Sequence, residues 1–595
     1  MVDVAFSLRK AKFQFYSKGP KYVFLLIWLF FNVFLFSYDY YNFDTKAKFS
    51  YLRDIIGAGL PFARASAACL NLNCALIILC VCRNLLSLIH NSQFCPRVIR
   101  RLINHNLALH KLCAWSIVFH TIIHTLAHTY NVEFAISYFN REDAVVGGLL
   151  TSTYASSLFL GTKDTAYTIL FGSVGGLTGV ILDLVLFIMV TSSIKIVRRS
   201  FFEVFWFTHH LFIVFYICLV SHATGQMIKG QTNPYCVVQN GTNWCNYLCN
   251  TFTRTDLDLY QVTMCDDEEI LFKGPGYTNW QKSYFWVGIP AILYIIDRAV
   301  RWSRRFNPAV VYKAIMHEGP CLELRMRKSG WKQEAGQYVF IQCSDISLFE
   351  WHPFTLTSAP EEDYLSVHIR KAGDWTTALY KVVEKRSKEK TVKEGKNTEL
   401  HMQLAIDGPY GTPSDDIFRY KASILIGAGV GCTPYASILK SVWYKIEAGD
   451  YDFGTKKIYF YWLCSNVKVF EWLRSQLKEI LEKLEALDSS DFLEVRLHLT
   501  RFDNDTNMMQ NVALHMDSKE DAITELPNTK TQFGRPNWFK DFVEIGEHHP
   551  VTDIGVFFCG PGVLSETLDE SCTLANAELD KRDTGSMFFY NKENF

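Results

Sequence analysis

Leu107-Ala-Leu-His110-Lys-Leu-Cys-Ala-Trp-Ser-Ile-Val-Phe-His120-Thr-Ile-Ile-His124-Thr-Leu-Ala-His128-Thr-Tyr130 is long and apolar enough to cross a bilayer, yet carries four histidines. A hydrocarbon core of about 30 Å takes about 20 helical residues, and an intramembrane His is costly unless paired or liganded. Five further segments share this character, near residues 22–38, 60–82, 168–191, 204–221 and 284–300. Several contain Asn, His or Asp, so they face a bundle interior as well as lipid. The expected architecture for residues 22–305 is a six-helix transmembrane bundle, preceded by a cytoplasmic segment, residues 1–21. The first span lacks a small-residue cleavage site and reads as a retained helix.

The composition agrees. The chain has 595 residues, 60 Lys and Arg against 60 Asp and Glu, 15% aromatic and 20% charged residues. Such a neutral balance, without a concentrated basic domain, argues against nucleic acid as a partner. The basic residues instead mark an orientation. Arg9, Lys10, Lys12, Lys18 and Lys21 precede the first span; Arg83, Arg97, Arg100 and Arg101 follow the second. Lys195, Arg198 and Arg199 follow the fourth, and Arg298, Arg301, Arg304 and Arg305 close the sixth. Cytoplasmic loops collect Lys and Arg, so both termini are expected in the cytoplasm of a multi-pass protein. The basic stretch from Arg83 to Arg101 would also suit contact with the soluble half or with anionic membrane lipids.

Seventeen cysteines do not make one disulfide framework in a chain that crosses redox compartments. Cys236, Cys245, Cys249 and Cys265 fall in the external loop after the fifth span, and four cysteines allow three complete pairings. Asn240-Gly-Thr242 is a glycosylation sequon there; Asn504-Asp-Thr506 is discounted because it is cytoplasmic. Cys464 and Cys559 read as buried thiols. No calcium-binding loop pattern occurs.

The fifth span adds His209, His210 and His222 to the four histidines of the third. Seven intramembrane imidazoles suit a hydrogen-bond network, a proton path or axial ligands to haem. His110 and His124 are 14 residues apart, about 21 Å of rise and about 40° short of one face. His209 and His222 are 13 apart, about 20 Å, so the depths match; the facing angle does not, at roughly 140° out of phase on a straight helix. A bend or bulge in the fifth span would remove that conflict. Periodicity leaves His120, His124 and His128 open as the outer ligand. A ladder of two haems is useful only if electrons cross the membrane, which calls for a donor site in the soluble half.

Residues 306–412 alternate apolar and polar over short runs, as a small antiparallel β-barrel does. Within them His352-Pro353-Phe354-Thr355 continues into a hydroxyl-rich strand end, and His368-Ile369-Arg370 follows. Hydroxyls beside an Arg suit the ring edge and pyrophosphate of a flavin. Residues 413–595 change to strand, glycine turn and helix. Gly427-Ala-Gly429-Val-Gly431-Cys-Thr433-Pro434 allows a backbone to approach a pyrophosphate, with Pro434 opening the helix beyond it. Later apolar strands near 457–463 and 555–558, the second running into Cys559-Gly560-Pro561, complete an α/β nucleotide-binding pattern. Gly408-Pro-Tyr-Gly411 reads as the hinge between barrel and nucleotide fold. The terminal Phe595 could stack on a flavin.

Several long motifs make the chain resemble a known family: Ala67-Ala-Cys-Leu-Asn71, Phe202-Glu-Val-Phe-Trp206 with Thr208-His-His210, the run from Trp351 to Pro360, Asp374-Trp-Thr376, the run from Lys456 to Cys464, and Asn591-Lys-Glu-Asn-Phe595. Together they resemble the superoxide-generating NADPH oxidases of the phagocyte-type class, flavocytochromes b within the ferric reductase superfamily, over nearly the whole chain. The resemblance implies haem ligation by His110 with His209 and by His124 with His222. It places Arg64 and His128 beside the outer haem, where oxygen is reduced. It assigns His352, Pro353, Phe354, Thr355, His368, Ile369, Arg370 and Thr376 to FAD. Gly427, Gly429, Gly431, Thr433, Pro434, Trp462, Cys464, Cys559, Gly560 and Pro561 go to NADPH, and Phe595 shields the flavin. The soluble half would then be similar to ferredoxin-NADP reductase.

The chain departs from the family's pattern in places. Ser465 and Asn466 stand where relatives carry Arg and Asp after the Trp-Leu-Cys run, which removes a charge-assisted contact to the NADPH 2′-phosphate. Lys468 or Arg535 would take that contact instead, and Arg501-Phe502 replaces Gly-Trp nearby. Cys432 replaces a Val in the glycine turn. Asp183 sits in a span where relatives are apolar and should face the bundle or shift the register. The external loop near 131–167 is short for the family.

The expected activity is electron transfer from cytoplasmic NADPH, with FAD and two b-type haems as cofactors, to extracellular molecular oxygen, giving superoxide. Arg64 would stabilise the nascent anion electrostatically. The plasma membrane or an internal vesicle membrane is the expected location. The class implies a small membrane-embedded subunit, cytosolic organiser and activator proteins and a small GTPase as partners. The rival readings are a transmembrane ferric-chelate reductase on the same scaffold and a histidine-lined proton pathway without redox activity.

Overall fold

The computed structural model describes the chain apart from residues 1, 47–48, 50–52, 54–55, 93, 140–165, 318–320, 395–401, 451–453, 502–518 and 594–595; between 223 and 282 it describes five short strands alone. Phe595, Asn240, Asn504, Cys249, Cys265, Phe502 and most of the 131–167 loop therefore lie outside the described residues. Two compact units emerge. One comprises residues 24–82 and 105–296; the other comprises residues 1–23, 83–104 and 297–595.

Six helices are long and apolar enough to cross a membrane: Lys21–Thr45, Gly59–Leu79, Asn106–Phe134, Val174–Ser192, Phe202–His222 and Ser283–Arg304. Their outward surfaces carry large apolar side chains such as Leu26, Phe30, Trp115, Leu126, Phe187 and Ile217, all strongly exposed in the absence of lipid. Polar side chains are turned inward. Trp28 Nε1 donates to Asn73 Oδ1 at 3.0 Å, Asn73 Nδ2 donates to Asn32 Oδ1 at 2.7 Å, and Asn32 Nδ2 donates to the Trp28 carbonyl at 2.8 Å. Buried amides in hydrocarbon must find partners inside the protein, and this ring fastens the first span to the second. Asp183 faces the bundle, accepting from Thr125 Oγ1 at 2.9 Å.

In the second unit the strands β1 (Ala309–His317), β2 (Cys321–Arg327), β3 (Tyr338–Gln342), β4 (His352–Thr355), β5 (Leu365–Arg370) and β6 (Met402–Tyr410) form one antiparallel sheet in the order β5-β2-β1-β6-β3-β4. A bridge between Leu356 and Val367 joins the two ends, so the sheet closes into a barrel. Leu322, Leu324, Val339, Ile341, Val367, Leu404 and Ile406 fill it completely, each worth about 1.5–3 kcal/mol of burial. Helix α1 (Asp374–Glu394) covers the barrel through Trp375, Leu379 and Val383, spaced one turn apart.

The α/β fold follows. Strands β7 (Ala422–Ala428), β8 (Lys457–Cys464), β9 (Leu493–Leu499), β10 (Gln532–Phe533), β11 (Asp553–Cys559) and β12 (Met587–Lys592) make a wholly parallel sheet in the order β10-β9-β8-β7-β11-β12. Its central strands are apolar on both sides because helices cover both faces. Helix α2 (Thr433–Glu447) docks on the barrel: Ser437 Oγ donates to the Ser358 carbonyl at 2.7 Å, Ser441 Oγ to Glu361 at 2.8 Å, and Lys440 pairs with Glu362 at 3.2 Å.

The basic stretch after the second span belongs to this unit. Arg83 lies 3.9 Å over the Phe340 ring, and buried Arg100 pairs with Asp416 at 3.3 Å while donating to the Ser92 carbonyl at 2.7 Å. Of the two roles expected for that stretch, Arg83 and Arg100 take contact with the soluble half. Arg301 and Arg304, expected as orientation signals, also converge on Asp407 at 2.7 and 3.1 Å.

Candidate functional site

Two pairs of imidazoles face each other inside the bundle. The His110 and His209 rings stand 6.2 Å apart between centroids, and His124 and His222 also stand 6.2 Å apart. Two imidazoles bound end-on to one metal at about 2 Å per bond, each nitrogen about 1 Å from its ring centre, place their centroids about 6 Å apart. Both spacings therefore fit bis-imidazole ligation of one iron each. The nitrogens are pre-sorted as well. His110 Nδ1 donates to the Ile77 carbonyl at 3.2 Å, His124 Nδ1 to the Ala63 carbonyl at 2.9 Å, and His222 Nδ1 meets Thr178 Oγ1 at 3.0 Å. With Nδ1 occupied, Nε2 is the nitrogen presented to a ligand, as partners behind a metal-binding His enforce. His209 Nδ1 is buried without a hydrogen-bond partner among the described residues.

The angular conflict in the fifth span has a structural answer. The span is two helices, Phe202–His209 and Phe212–His222, with a tight turn between them. There the backbone bonds shorten to three residues: His210 N to Phe207 O, Leu211 N to Thr208 O and Ile213 N to His210 O. The cause is local. Thr208 Oγ1 takes the Val204 carbonyl at 2.6 Å, and His210 Nδ1 takes the Trp206 carbonyl at 2.7 Å, competing with the helix's own amides. His209 and His222 thus sit on two helical segments, and the ring of each faces one of the third span. His210, stacked on Trp206 at 4.2 Å, is occupied elsewhere.

The same contacts sort the third span's candidates. His120 packs against Phe36 of the first span at 6.1 Å, away from the fifth span. His128 stands edge-on to His124 at 4.5 Å. Arg64 follows Ala63, whose carbonyl holds His124, and its guanidinium lies 5.0 Å from the Phe43 ring. Thr178 and Ser66 (3.3 Å from His124 Nδ1) are further residues of this site. Their signal in the sequence is weak, a hydroxyl inside an apolar span.

In the barrel, His352 stacks against Trp375 at 4.3 Å and Phe354 lies nearly parallel to the same indole at 5.9 Å. Trp375 Nε1 is buried without a hydrogen-bond partner among the described residues, as expected beside a group that the polypeptide itself does not supply. Thr376 Oγ1 is engaged by its own turn, accepting from Ala372 N and Gly373 N at 3.0 Å. Pro353 and Arg370 are exposed, Thr355 is buried, and Ile369 is wholly in the core, which leaves it only its backbone for a ligand. His368 is buried on the face of β5 opposite Val367 and Ile369, its Nδ1 2.9 Å from Thr357 Oγ1. Burial pushes its pKa down to about 4, so the imidazole is neutral. Of these, His352, Phe354, Trp375 and Arg370 could hold a flavin beside β4 and β5, whereas the side chains of Ile369, Thr376 and His368 are engaged within the protein.

The glycine turn leaves β7 as a short tight helix, Gly429–Cys432, and enters α2 with Pro434 in the first turn. Gly429 has φ +59°, a conformation glycine adopts without strain. A Cβ on Gly431 would run into the Cys559 carbonyl, and one on Gly427 would stand 2.8 Å from Cys432 Cα. Trp462 Nε1 donates to the Gly429 carbonyl at 3.1 Å and holds the turn. Cys464 and Cys559 end β8 and β11, the strands flanking β7. Burial pushes both thiols up, so they stay protonated. Ser465, Arg501 and Arg535 leave the adjacent ends of β8, β9 and β10, all exposed; Thr500 N donates to the Cys464 carbonyl at 2.7 Å.

Glu593, in the chain's closing motif, is buried and accepts from Ser414 N at 2.9 Å and from Ser414 Oγ. Burial raises its pKa to about 7. The folded state then holds a proton that the unfolded chain releases near pH 4.5, so this stability is complete below about 4.5 and lost as pH rises through about 7. The melting temperature of the wild type is expected to fall across that window, by the equivalent of roughly 3 kcal/mol at most, and the profile of Glu593→Gln is expected to be flatter. Parallel melting profiles would contradict it.

Three family models match: a ferric reductase like transmembrane component over residues 64–220, an FAD-binding domain over 306–414, and a ferric reductase NAD binding domain over 420–573. Among curated proteins the chain is 40% identical to NADPH oxidase 1 of Mus musculus, covering 96% of this chain and 93% of that one. It is 38% identical to NADPH oxidase 3 of Homo sapiens (97% and 99%) and 32% identical to NADPH oxidase 4 of Homo sapiens (97% and 98%).

Proposed function

The chain belongs to the NADPH oxidase family, and from that premise we propose that it couples NADPH oxidation on the cytoplasmic side to one-electron reduction of oxygen on the other side, with FAD and two b-type haems as resident cofactors. It is a multi-pass membrane protein with FAD- and NAD-binding domains that transfers electrons from NADPH. The observation that carries the finer reading is the pair of equal His–His spacings, 6.2 Å each.

Bound FAD accepts two electrons at once and bound haem passes one at a time; the polypeptide's share is placement. His110 with His209, and His124 with His222, would hold the haems. His352, Phe354, Trp375 and Arg370 would hold the flavin. The glycine turn and the β8 and β11 ends would receive NADPH. One NADPH supplies two electrons, so two oxygens become two superoxides while NADP⁺ and one proton stay behind. Arg64, a fixed cation beside His124, would favour the anionic product. A small membrane subunit, cytosolic organiser and activator proteins and a small GTPase are proposed partners, and both termini are proposed to be cytoplasmic.

The test is a reduced-minus-oxidised visible spectrum of the detergent-purified protein with FAD, using NADPH and then NADH, under argon and then in air. Dithionite measures total haem. Two haems per chain, reduced by NADPH and reoxidised in air with superoxide dismutase-sensitive cytochrome c reduction, are expected. Absence of haem even with dithionite would sink the proposal. Anaerobic reduction of a ferric chelate without superoxide in air would favour the reductase reading.

A further inference from the structure

Three ligand-type side chains meet on one face of the barrel. Strands β5, β2 and β1 are neighbours in the sheet. His368 of β5 lies opposite Glu323 of β2, and Glu323 lies opposite Ile315 of β1. Residues two apart share a strand face, so His317 joins the face that carries Glu323 and His368. Glu323 Oε2 is 3.2 Å from His317 Nε2 and 3.9 Å from His368 Nε2, and the three ligand atoms all lie within 4.8 Å of one another.

These spacings suit one small cation. Ligands about 2.0–2.2 Å from a tetrahedral zinc stand about 3.3–3.6 Å from each other; the two distances to Glu323 Oε2 lie within a few tenths of an ångström of that range, and the two imidazole nitrogens, within 4.8 Å of each other, would close by about an ångström at most. The remaining atoms of the ligands are already engaged. Glu323 Oε1 accepts from Arg325 Nε at 2.6 Å, and His368 Nδ1 is bonded to Thr357 Oγ1. Glu323 is thereby left to present Oε2 and His368 to present Nε2, the outer-shell support that metal-binding carboxylates and imidazoles show. Glu323 and His368 are 6% and 8% exposed. A plain carboxylate–imidazole hydrogen bond accounts for His317 alone. It leaves unexplained why a second imidazole nitrogen points at the same oxygen from 3.9 Å, beyond hydrogen-bond reach.

We propose that His317, Glu323 and His368 form a binding site for a divalent transition-metal cation of the zinc type. Two imidazole nitrogens and one carboxylate oxygen suit zinc, whereas calcium and magnesium take oxygen ligands. Three protein ligands leave a fourth position for water. The Arg325 guanidinium on the far carboxylate oxygen opposes a cation and makes the site weaker than an all-neutral shell would. Occupancy would tie β1, β2 and β5 together, and through Thr357 it would reach the segment that follows β4.

The test uses full-length, FAD-loaded protein stripped with a chelator and dialysed against radiolabelled zinc in excess magnesium. The wild type is expected to show a saturable equivalent of zinc and a rise in melting temperature with zinc. Glu323→Gln, nearly isosteric, and His317→Ala should each weaken that equivalent by about tenfold or more and lose the zinc-dependent rise, with the flavin-to-protein ratio reporting that the barrel is intact. No saturable zinc in the wild type overturns the proposal without reference to any variant. Zinc bound equally by wild type and both variants also overturns it, since the metal then sits elsewhere.

Discussion

Replacing His222 with Leu is expected to remove one of two haems and to lower NADPH-driven superoxide formation by about 100-fold or more, while NADPH still reduces the flavin under argon. The ring stands 6.2 Å from His124, is held by Thr178, and lies 3.5 Å from where a Cβ on Gly179 would be. Leu fills similar space, so the bundle should survive, but it offers no nitrogen to a metal. Losing even a partner behind a ligand costs 10–100-fold, so losing the ligand itself should cost at least the upper end. Haem counted by pyridine haemochrome against flavin should fall from two to one. His210→Leu is the internal comparison: its ring is committed to the Trp206 carbonyl and indole, and both haems should remain. Two haems retained in His222→Leu would remove the outer pair from the proposal.

Among the glycines of the nucleotide fold, Gly431 should tolerate alanine least. The added methyl would meet the Cys559 carbonyl, a backbone atom that moves only if β11 moves. Overpacking typically costs about 1–3 kcal/mol, and with backbone as the obstacle the upper end applies. The expected result is a rise of about tenfold or more in the KM for NADPH, because Gly431 and Cys559 lie on two sides of the same turn. Flavin reduction by dithionite should be unaffected. Gly429→Ala separates space from conformation: a Cβ there meets nothing within 4 Å, and the φ of +59° supplies the only penalty, about 1–2 kcal/mol. Equal effects of the two changes would show that the turn is not braced against β11.

The spans, the barrel strands and the parallel strands of the nucleotide fold were legible because each rests on a local period: a long apolar run, alternation, or a short apolar run ending in glycine. Helix α1 was not, since its apolar stripe is one residue per turn, Trp375, Leu379 and Val383, inside a strongly charged segment. Strand β2 is the least legible of the barrel strands for a related reason: its Glu323 and Arg325 are satisfied by each other and by His317, so charge disguises a core strand. Trp375 stood in a quoted motif, yet its stacking on His352 depends on β4 and α1 meeting.

The sequence by itself determined how many helices are long and apolar enough to cross a membrane, which histidines lie at matching rises along their spans, and where glycine stands in the turn after β7. These follow from composition and spacing along a single segment. Only the tertiary structure decided that His124 rather than His120 faces His222, that the fifth span breaks after His209, and that Arg83 and Arg100 are spent on the soluble half. Each of those outcomes turns on a competition between partners distant in the chain: a carbonyl claimed by a side chain, an imidazole drawn to one neighbouring helix over another, a guanidinium paired with a carboxylate more than 300 residues away. Periodicity carries no information about which of two distant partners wins, because that depends on burial and geometry that exist only after the chain has folded.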